Sequence, residues 1–224
     1  SIELLREKRP DIEIVGNEFH PIGQVKDFTP YVTKIASSDA DAVITGNFGA
    51  DMVSLARSII DSGLDIPIYT FYAAYDGITA TLGADGVGKI YLVHNDAGNP
   101  LPTEERLAYT RNFKRLNPNN DMTQFRITNA LQMLVQAMET SQSADPYDIA
   151  LALEEMRFTN MSGEELWMRG DDHQIIQPLH ISVHTDQNIV IDADNSGFGL
   201  FRDFSVPGDE TMVDHSCRMR RPRR

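Results

Sequence analysis

Between residues 40 and 93, short apolar runs alternate with a longer amphipathic stretch, and this order restricts the chain more than any other feature. ADAVITG is brief and nearly continuously apolar. ADMVSLARSIIDSG places Met52, Leu55, Ala56, Ile59 and Ile60 on one helical face and closes at Gly63. PIYTF and VGKIYLV are short apolar runs again, with a short helix expected over DGITATLG between them. Runs this short suit strands buried on both faces, and such strands pair in parallel when helices cross over between them. The spacing predicts βαβ units and therefore an α/β fold.

The flanks extend the pattern on one side and break it on the other. SIELLREKRPD reads as the later turns of an amphipathic helix stopped by Pro10, and DIEIVG reads as a strand. Asp27 or Thr29 is placed to cap the helix of PYVTKIASSD, with Pro30 where its missing N–H does no harm. A βαβ layer that opens on the end of a helix lacks the strand that should feed it, so the chain reads as the later part of a longer polypeptide. After His94 the texture changes. NDAGNPLP is a turn-rich connector, followed by three helical segments in TEERLAYTRNFKRLN, TQFRITNALQMLVQAMETS and DPYDIALALEEMRF. NMSGEELWMRGDDHQ reads as a short strand with loops, and HISVH and NIVID as two strands joined through TDQN. The expected organisation is a Rossmann-like lobe over 1–94 without its first strand, a mostly helical part of another lobe over 95–176, and a return over 177–224.

Charge and composition exclude some functions. Of 224 residues, 41% are apolar and 24% charged, as in an ordinary globular chain, and no apolar run approaches the length of a membrane span. The net charge of −13 is uneven: the last twelve residues carry five Arg against one Asp, leaving 15 basic and 32 acidic residues in the rest. An acidic body argues against a nucleic-acid partner, and the Arg tail is expected to pair with that body. The single cysteine, Cys217, forms no internal disulfide and does not fix the redox compartment.

Motifs for catalysis or cofactors are missing or misplaced. GADGVG precedes a strand instead of opening a helix after one, so it is no dinucleotide or phosphate loop. No P-loop or GxSxG elbow occurs. His180 and His184 share a strand face roughly 13 Å apart, too far for one ion, which leaves surface or cross-strand roles. DADNSG imitates a calcium loop but is flanked by strands, which favours a tight turn. Asp171 and Asp172 sit in a loop with no apolar wall to raise a carboxyl pKa. No enzyme activity, cofactor or metal is expected.

What remains is aromatic. Ligands of open α/β sheets bind beyond the C-terminal ends of parallel strands, where GNFGAD and FYAAYD fall here. Asn47, Phe48 and Gly49 in the first loop, and Phe71, Tyr72, Tyr75 and Asp76 in the second, are the candidate ligand-binding residues. Gly49 also opens a helix, whose free N–H groups favour a carboxylate or another polar oxygen. Rings beside a helix end suit a small solute with an apolar body and a polar head. The same rings also suit packing against a second lobe.

DFTPYVTKIASSDADAVITGNFGADMVSLARSIIDSGLDIPIYTFY resembles the second lobe of type I periplasmic solute-binding proteins, the leucine/isoleucine/valine-binding family of ABC transporters. MSGEELWMRGDDHQIIQPLHISV and SCRMRRP resemble the C-terminal part of its amino-acid, amide and aromatic-acid branch. The resemblance implies two Rossmann-like lobes with parallel sheets, joined by crossovers, two of them near 94–97 and 176–180, with lobe 1 incomplete here. It also implies an extracytoplasmic subunit that binds a solute between the lobes as a monomer or weak dimer, without a cofactor, and delivers it to membrane permease subunits. An alternative on the same fold is the ligand-sensing domain of a receptor or transcription regulator. The family's second-lobe contacts fall on Asn47-Phe48-Gly49 and on Phe71-Tyr72. Tyr72 stands where the branched-chain binder has a Glu facing the ligand ammonium, which favours a carboxylate, amide or aromatic acid here, with Asp76 a possible remaining negative charge.

Overall fold

The computed structural model describes residues 2–74, 77–96, 98–100, 103–119, 125–190, 192, 194–217 and 219–220. Its first part runs α1 (Ile2–Lys8), α2 (Thr29–Ala36), β1 (Val43–Thr45), α3 (Gly49–Asp61), β2 (Ile68–Thr70), α4 (Ile78–Leu82) and β3 (Ile90–His94). β1 pairs with β2 and β2 with β3, all in parallel, with Thr45 opposite Thr70 and Ile68 opposite Ile90. α3 forms because its apolar residues recur at helical spacing: Met52, Leu55, Ala56, Ile59 and Ile60 are all buried. They join Ile68, Ile90 and Leu92 from the strands, Phe28 and Val32 from the α2 region, and Ile78 and Leu82 from α4 in one core. The cap position of α2 is Phe28, which offers no side-chain acceptor; neither Asp27 nor Thr29 occupies it, and the Asp27 carboxylate, one residue earlier, accepts the Thr29 N–H at 2.9 Å.

The middle of the chain forms α5 (Glu104–Leu116), α6 (Phe125–Ser141), α7 (Pro146–Leu153), β4 (Arg157–Thr159), β5 (Glu165–Met168) and β6 (Ile175–Ile176). β4, β5 and β6 make a separate antiparallel sheet. Met133 and Ala137 of α6, with Met156, Leu166 and Met168, form a second core against Ile149 and Leu153 of α7. The chain then returns as β7 (Leu179–Thr185) and β8 (Gly199–Val206), completing a five-stranded sheet in the order β1-β2-β3-β7-β8. β7 is antiparallel to both β3 and β8. Its residues alternate between partly buried and buried, as HISVH suggests.

Two expected strand assignments fail. DIEIVG is not a strand: β1 is the edge of the sheet on that side, and Ile12 and Val15 lie exposed without a ladder partner. NIVID is not the partner of β7 either. Asn188 adopts a left-handed backbone (φ +58), the Asp192 carboxylate accepts the N–H groups of Ser196 and Gly197, and β8 pairs with β7 instead; Ile191 lies outside the described residues. Ile189 of that stretch packs against Gly199, where an added Cβ would come within 3.0 Å of it.

The connection after β3 is held by an ion pair whose arginine is buried. Arg106 of α5 donates to both carboxylate oxygens of Asp96, at 2.7 and 2.9 Å, and to Ser162 Oγ at 3.0 Å. Its guanidinium also lies over the Phe125 ring at the start of α6. Nearby, Asn99 is buried; its side-chain oxygen accepts the Val190 N–H at 3.0 Å and its carbonyl accepts the Arg202 N–H at 2.7 Å. No helix among the described residues is long and apolar enough to cross a membrane.

Candidate site at the mouth of the parallel strands

β1 and β2 both end in a buried threonine, and each threonine turns the chain. Thr45 Oγ1 accepts the Asn47 N–H at 3.1 Å, and Thr70 Oγ1 accepts the Tyr72 N–H at 3.2 Å. These side-chain turns satisfy N–H groups that a continuing strand would have paired, and they carry both loops off the sheet at the same level. The outcome is a ring pair: Phe48 and Tyr72 meet edge to face with centroids 5.8 Å apart. Phe48 is 51% and Phe71 47% exposed, while Tyr72 is partly buried. Apolar rings left this open at a strand mouth present a surface that a ligand or another lobe can cover. Tyr75 and Asp76 lie outside the described residues.

Gly49 follows Phe48 with φ +57, a left-handed conformation that a side chain would strain, and α3 begins there. Phe48, extended at the cap position, has no side-chain acceptor for the first N–H groups of α3. The site thus combines open rings with the positive end of a 13-residue helix.

Sequence reasoning missed the residues that support this loop. His20 Nε2 lies 2.9 Å from Asn47 Oδ1, and its ring packs edge-on against Phe28 and Tyr31. Asp51, buried in the first turn of α3, accepts the Gly23 N–H at 2.7 Å. Both contacts bind the irregular stretch before α2 to the site. His20 stands in a segment without periodicity, so no local signal singled it out; Asp51 was legible only as an acid in the first turn of a helix.

The other candidates resolve differently. His180 and His184 are buried, not on the surface. His180 sits opposite His94 in the β3–β7 register, with Nδ1 2.8 Å from Ser205 Oγ and Nε2 2.8 Å from the Glu164 carboxylate. Burial would raise the Glu164 carboxyl pKa, but its hydrogen bonds with His180 and Asn160 outweigh that and hold it below the ordinary value. His184 donates from Nε2 to the Gly83 carbonyl at 2.8 Å.

Asp172 is not a freely solvated loop acid. Arg169 grips both its oxygens, at 2.8 and 2.5 Å, and holds its carboxyl well below the usual carboxylate range. Among the described residues, Asp171, Asp172 and His215 form one group with potential metal-ligand atoms within 4.8 Å of one another. The Arg169 guanidinium already engages Asp172 and lies 3.6 Å from Asp171, a poor neighbour for a cation. A concavity of about 760 Å³ adjoins this group, lined by Glu154, Glu155, His215 and Cys217 among others; none of the strand-mouth residues lines it. Of the five arginines in the last twelve residues, all but Arg220 lie outside the described residues.

Comparison with known proteins gives this geometry a context. Residues 4–187 match the family described as periplasmic binding protein. The chain is 28% identical over 218 residues to Leu/Ile/Val-binding protein homolog 4 of Brucella abortus, covering 94% of this chain and 51% of that protein. It therefore spans about half the length of the curated relatives it matches. Among solved structures, the leucine-, isoleucine-, valine-, threonine- and alanine-binding protein of Brucella ovis, in a closed conformation, superimposes with a TM-score of 0.87 at 25% identity. That alignment covers 98% of this chain and 57% of the other. A Rhodopseudomonas palustris solute-binding protein of an ABC transporter, complexed with p-hydroxybenzoic acid, shares the fold with a TM-score of 0.69 at 17% identity, over 90% of this chain and 54% of its own. With the family matched over most of its length and the same fold in these structures, the chain belongs to the periplasmic binding protein family.

Proposed function

We propose that this chain supplies one wall of a solute-binding cleft in the extracytoplasmic binding component of an ABC importer. One observation carries the reading: the Phe48–Tyr72 ring pair stands half open at the C-terminal mouth of two parallel strands, beside the uncapped start of α3. Asn47, Phe48, Gly49, Phe71 and Tyr72 are the proposed contacts. Tyr75 and Asp76 complete the second loop by sequence. The rings take the apolar body of the solute, and the Gly49 region offers N–H groups to an oxygen. His20 beside Asn47 and Asp51 in the first turn of α3 are engaged in holding the loop, and binding without turnover is the proposed chemistry of this set.

The proposed solute is a small amino acid, an amide or an aromatic carboxylate. The names of the relatives support two of these classes, with leucine, isoleucine and valine among the amino acids and p-hydroxybenzoic acid among the aromatic carboxylates. Residues 1–94 and 177–224 are assigned to one lobe and 95–176 to part of the other, with the cleft between them. The partition of the strands into two sheets supports this assignment. The proposed partners are the solute and membrane permease subunits, with the binding component acting as a monomer or weak dimer and without a nucleic-acid partner.

The test is a calorimetric and thermal-shift screen of the family-length protein against branched-chain amino acids, short amides and aromatic acids. Saturable binding of one class at micromolar concentration is expected. Failure of all three classes at millimolar concentration would overturn the reading. The sensor alternative makes a different prediction about the gene: coding sequence for a helix-turn-helix upstream, where an importer subunit has a signal peptide.

A further inference from the structure

His20 faces more acceptors than a neutral ring can serve. Its Nδ1 lies 3.2 Å from the Pro21 carbonyl oxygen and its Nε2 lies 2.9 Å from Asn47 Oδ1. A neutral imidazole carries one N–H and an imidazolium carries two, so only the protonated ring satisfies both contacts. Exchanging the two ends of the Asn47 amide does not remove the mismatch. Nδ2 is enclosed and has no hydrogen-bond partner among the described residues. The exchange would suit a neutral ring, but it would leave the amide oxygen enclosed without a donor.

We infer that His20 is a positioning residue of the solute site and works through its charge. Protonated, it ties Asn47 to the stretch before α2 and adds a positive charge beside the loop that opens α3, so that the site prefers a carboxylate. This rests on the solute-binding reading of the Asn47–Gly49 loop. The start of α3 already favours an anion, and an imidazolium held against Asn47, two residues before Gly49, adds to the same field. The ring is partly buried against Phe28 and Tyr31. The titratable and charged groups of the elements around it are Tyr31 and Lys34 of α2, Asp51 of α3, and Glu18 and Asp27 of its own stretch. Lys34 is paired with Glu18 at 2.9 Å, and the Asp51 and Asp27 carboxylates accept the Gly23 and Thr29 N–H groups. These charges have contacts of their own, and Asn47 is the side chain that meets Nε2. Coupling between two ligands is reciprocal, so a carboxylate that gains from the charge also draws a proton onto the ring. Binding then tightens as the pH falls through the range in which histidines change charge, and weakens as it rises.

The experiment is calorimetry on the family-length protein at pH 6.0 and pH 8.0, with 4-hydroxybenzoate, leucine and 4-hydroxybenzamide as probes. A carboxylate probe should bind about fivefold or more tightly at pH 6.0, the low end of ordinary coupling, and the amide equally at both values. Heats measured in buffers of different ionisation enthalpy should show a proton taken up with the carboxylate. His20→Gln keeps a donor for Asn47 Oδ1 but carries no charge, so it should flatten the profile and abolish the uptake. A second measurement needs no solute. In the 224-residue chain alone, NMR at pH 5.0 should show both ring N–H protons of His20, and Asn47→Ala should speed exchange of the Nε2 proton roughly tenfold. Unchanged exchange in that variant would overturn the inference. A carboxylate bound with a flat profile, or with the same profile in His20→Gln, would overturn it and leave the site reading standing. Failure of all three probes to bind at millimolar concentration would overturn the site reading and this role of His20 with it.

Discussion

Thr45 and Thr70 lie opposite one another in the β1–β2 register, and the hydroxyl of each accepts the backbone N–H two residues further on. Because both strands end with the same device at the same level, the two loops leave the sheet as a matched pair. The Phe48 and Tyr72 rings meet only as a consequence of that match.

Replacing Thr70 by Val tests this relationship, since the shape is kept and only the acceptor is lost. Thr70 is fully buried, so the Tyr72 N–H would lose its partner at the edge of the core. A loss of about 1–3 kcal/mol is expected by denaturant unfolding. In the family-length protein the same change should weaken solute binding, because Tyr72 is no longer held beside Phe48. Unaltered stability and affinity would mean that the hydroxyl only decorates the strand end.

Arg106 tests the connection after β3. It is almost completely buried and binds Asp96 through both nitrogens of its fork. Arg106→Met should cost about 3–5 kcal/mol, most of it from the Asp96 carboxylate left without its partner. Adding Asp96→Asn should recover much of that loss. Equal unfolding midpoints for the single and double variants would show that the pair acts through packing on Phe125, not through charge.

The pH dependence has a definite sign. Burial lowers the pKa of both His94 and His184 below the ordinary histidine value. The unfolded chain then takes up protons first, at about pH 6.5. The stability due to the neutral rings is therefore complete above that pH and is lost progressively as the pH falls below it. The contribution of each ring is at most about 1.4 kcal/mol per pH unit. Urea unfolding at pH 7.5 and pH 5.5 should show lower stability at the acid end, and His184→Gln should make the difference smaller. A protein equally stable at both values would contradict the neutral assignment.

Legibility in the sequence followed the range of the interactions. α3 and the three parallel strands were readable because their apolar spacing is local, and Met52, Leu55 and Ile59 went where periodicity placed them. DIEIVG and NIVID carry strand-like residues, yet strands exist only where a neighbour completes the ladder, and that information lies elsewhere in the chain. β8 was hidden for the converse reason. Its sequence GLFRDFSV includes Arg202 and Asp203 and takes its register from β7. In the site, the rings announced themselves by being too many for a strand mouth. His20, which lies 27 residues before Asn47, could not be found by spacing.

The sharpest expectation concerns Tyr72. Covering one ring face with an apolar solute contributes about 1–3 kcal/mol, so Tyr72→Ala in the family-length protein should weaken binding by roughly one to two decades. Tyr109→Ala is the comparison. Its ring packs on Phe125 within the helical segment, far in sequence from the strand mouth, and it should change affinity little. Tyr72→Glu separates ligand classes, because a carboxylate beside Phe48 repels an anionic solute and attracts an ammonium group. A carboxylate solute should lose affinity by more than the Ala variant does, and a solute bearing an ammonium group should gain. Calorimetry on the three variants decides between these outcomes. Leucine bound tightly by the native protein, and equally by both Tyr72 variants, would remove Tyr72 from the site and with it the preference for an acid or amide.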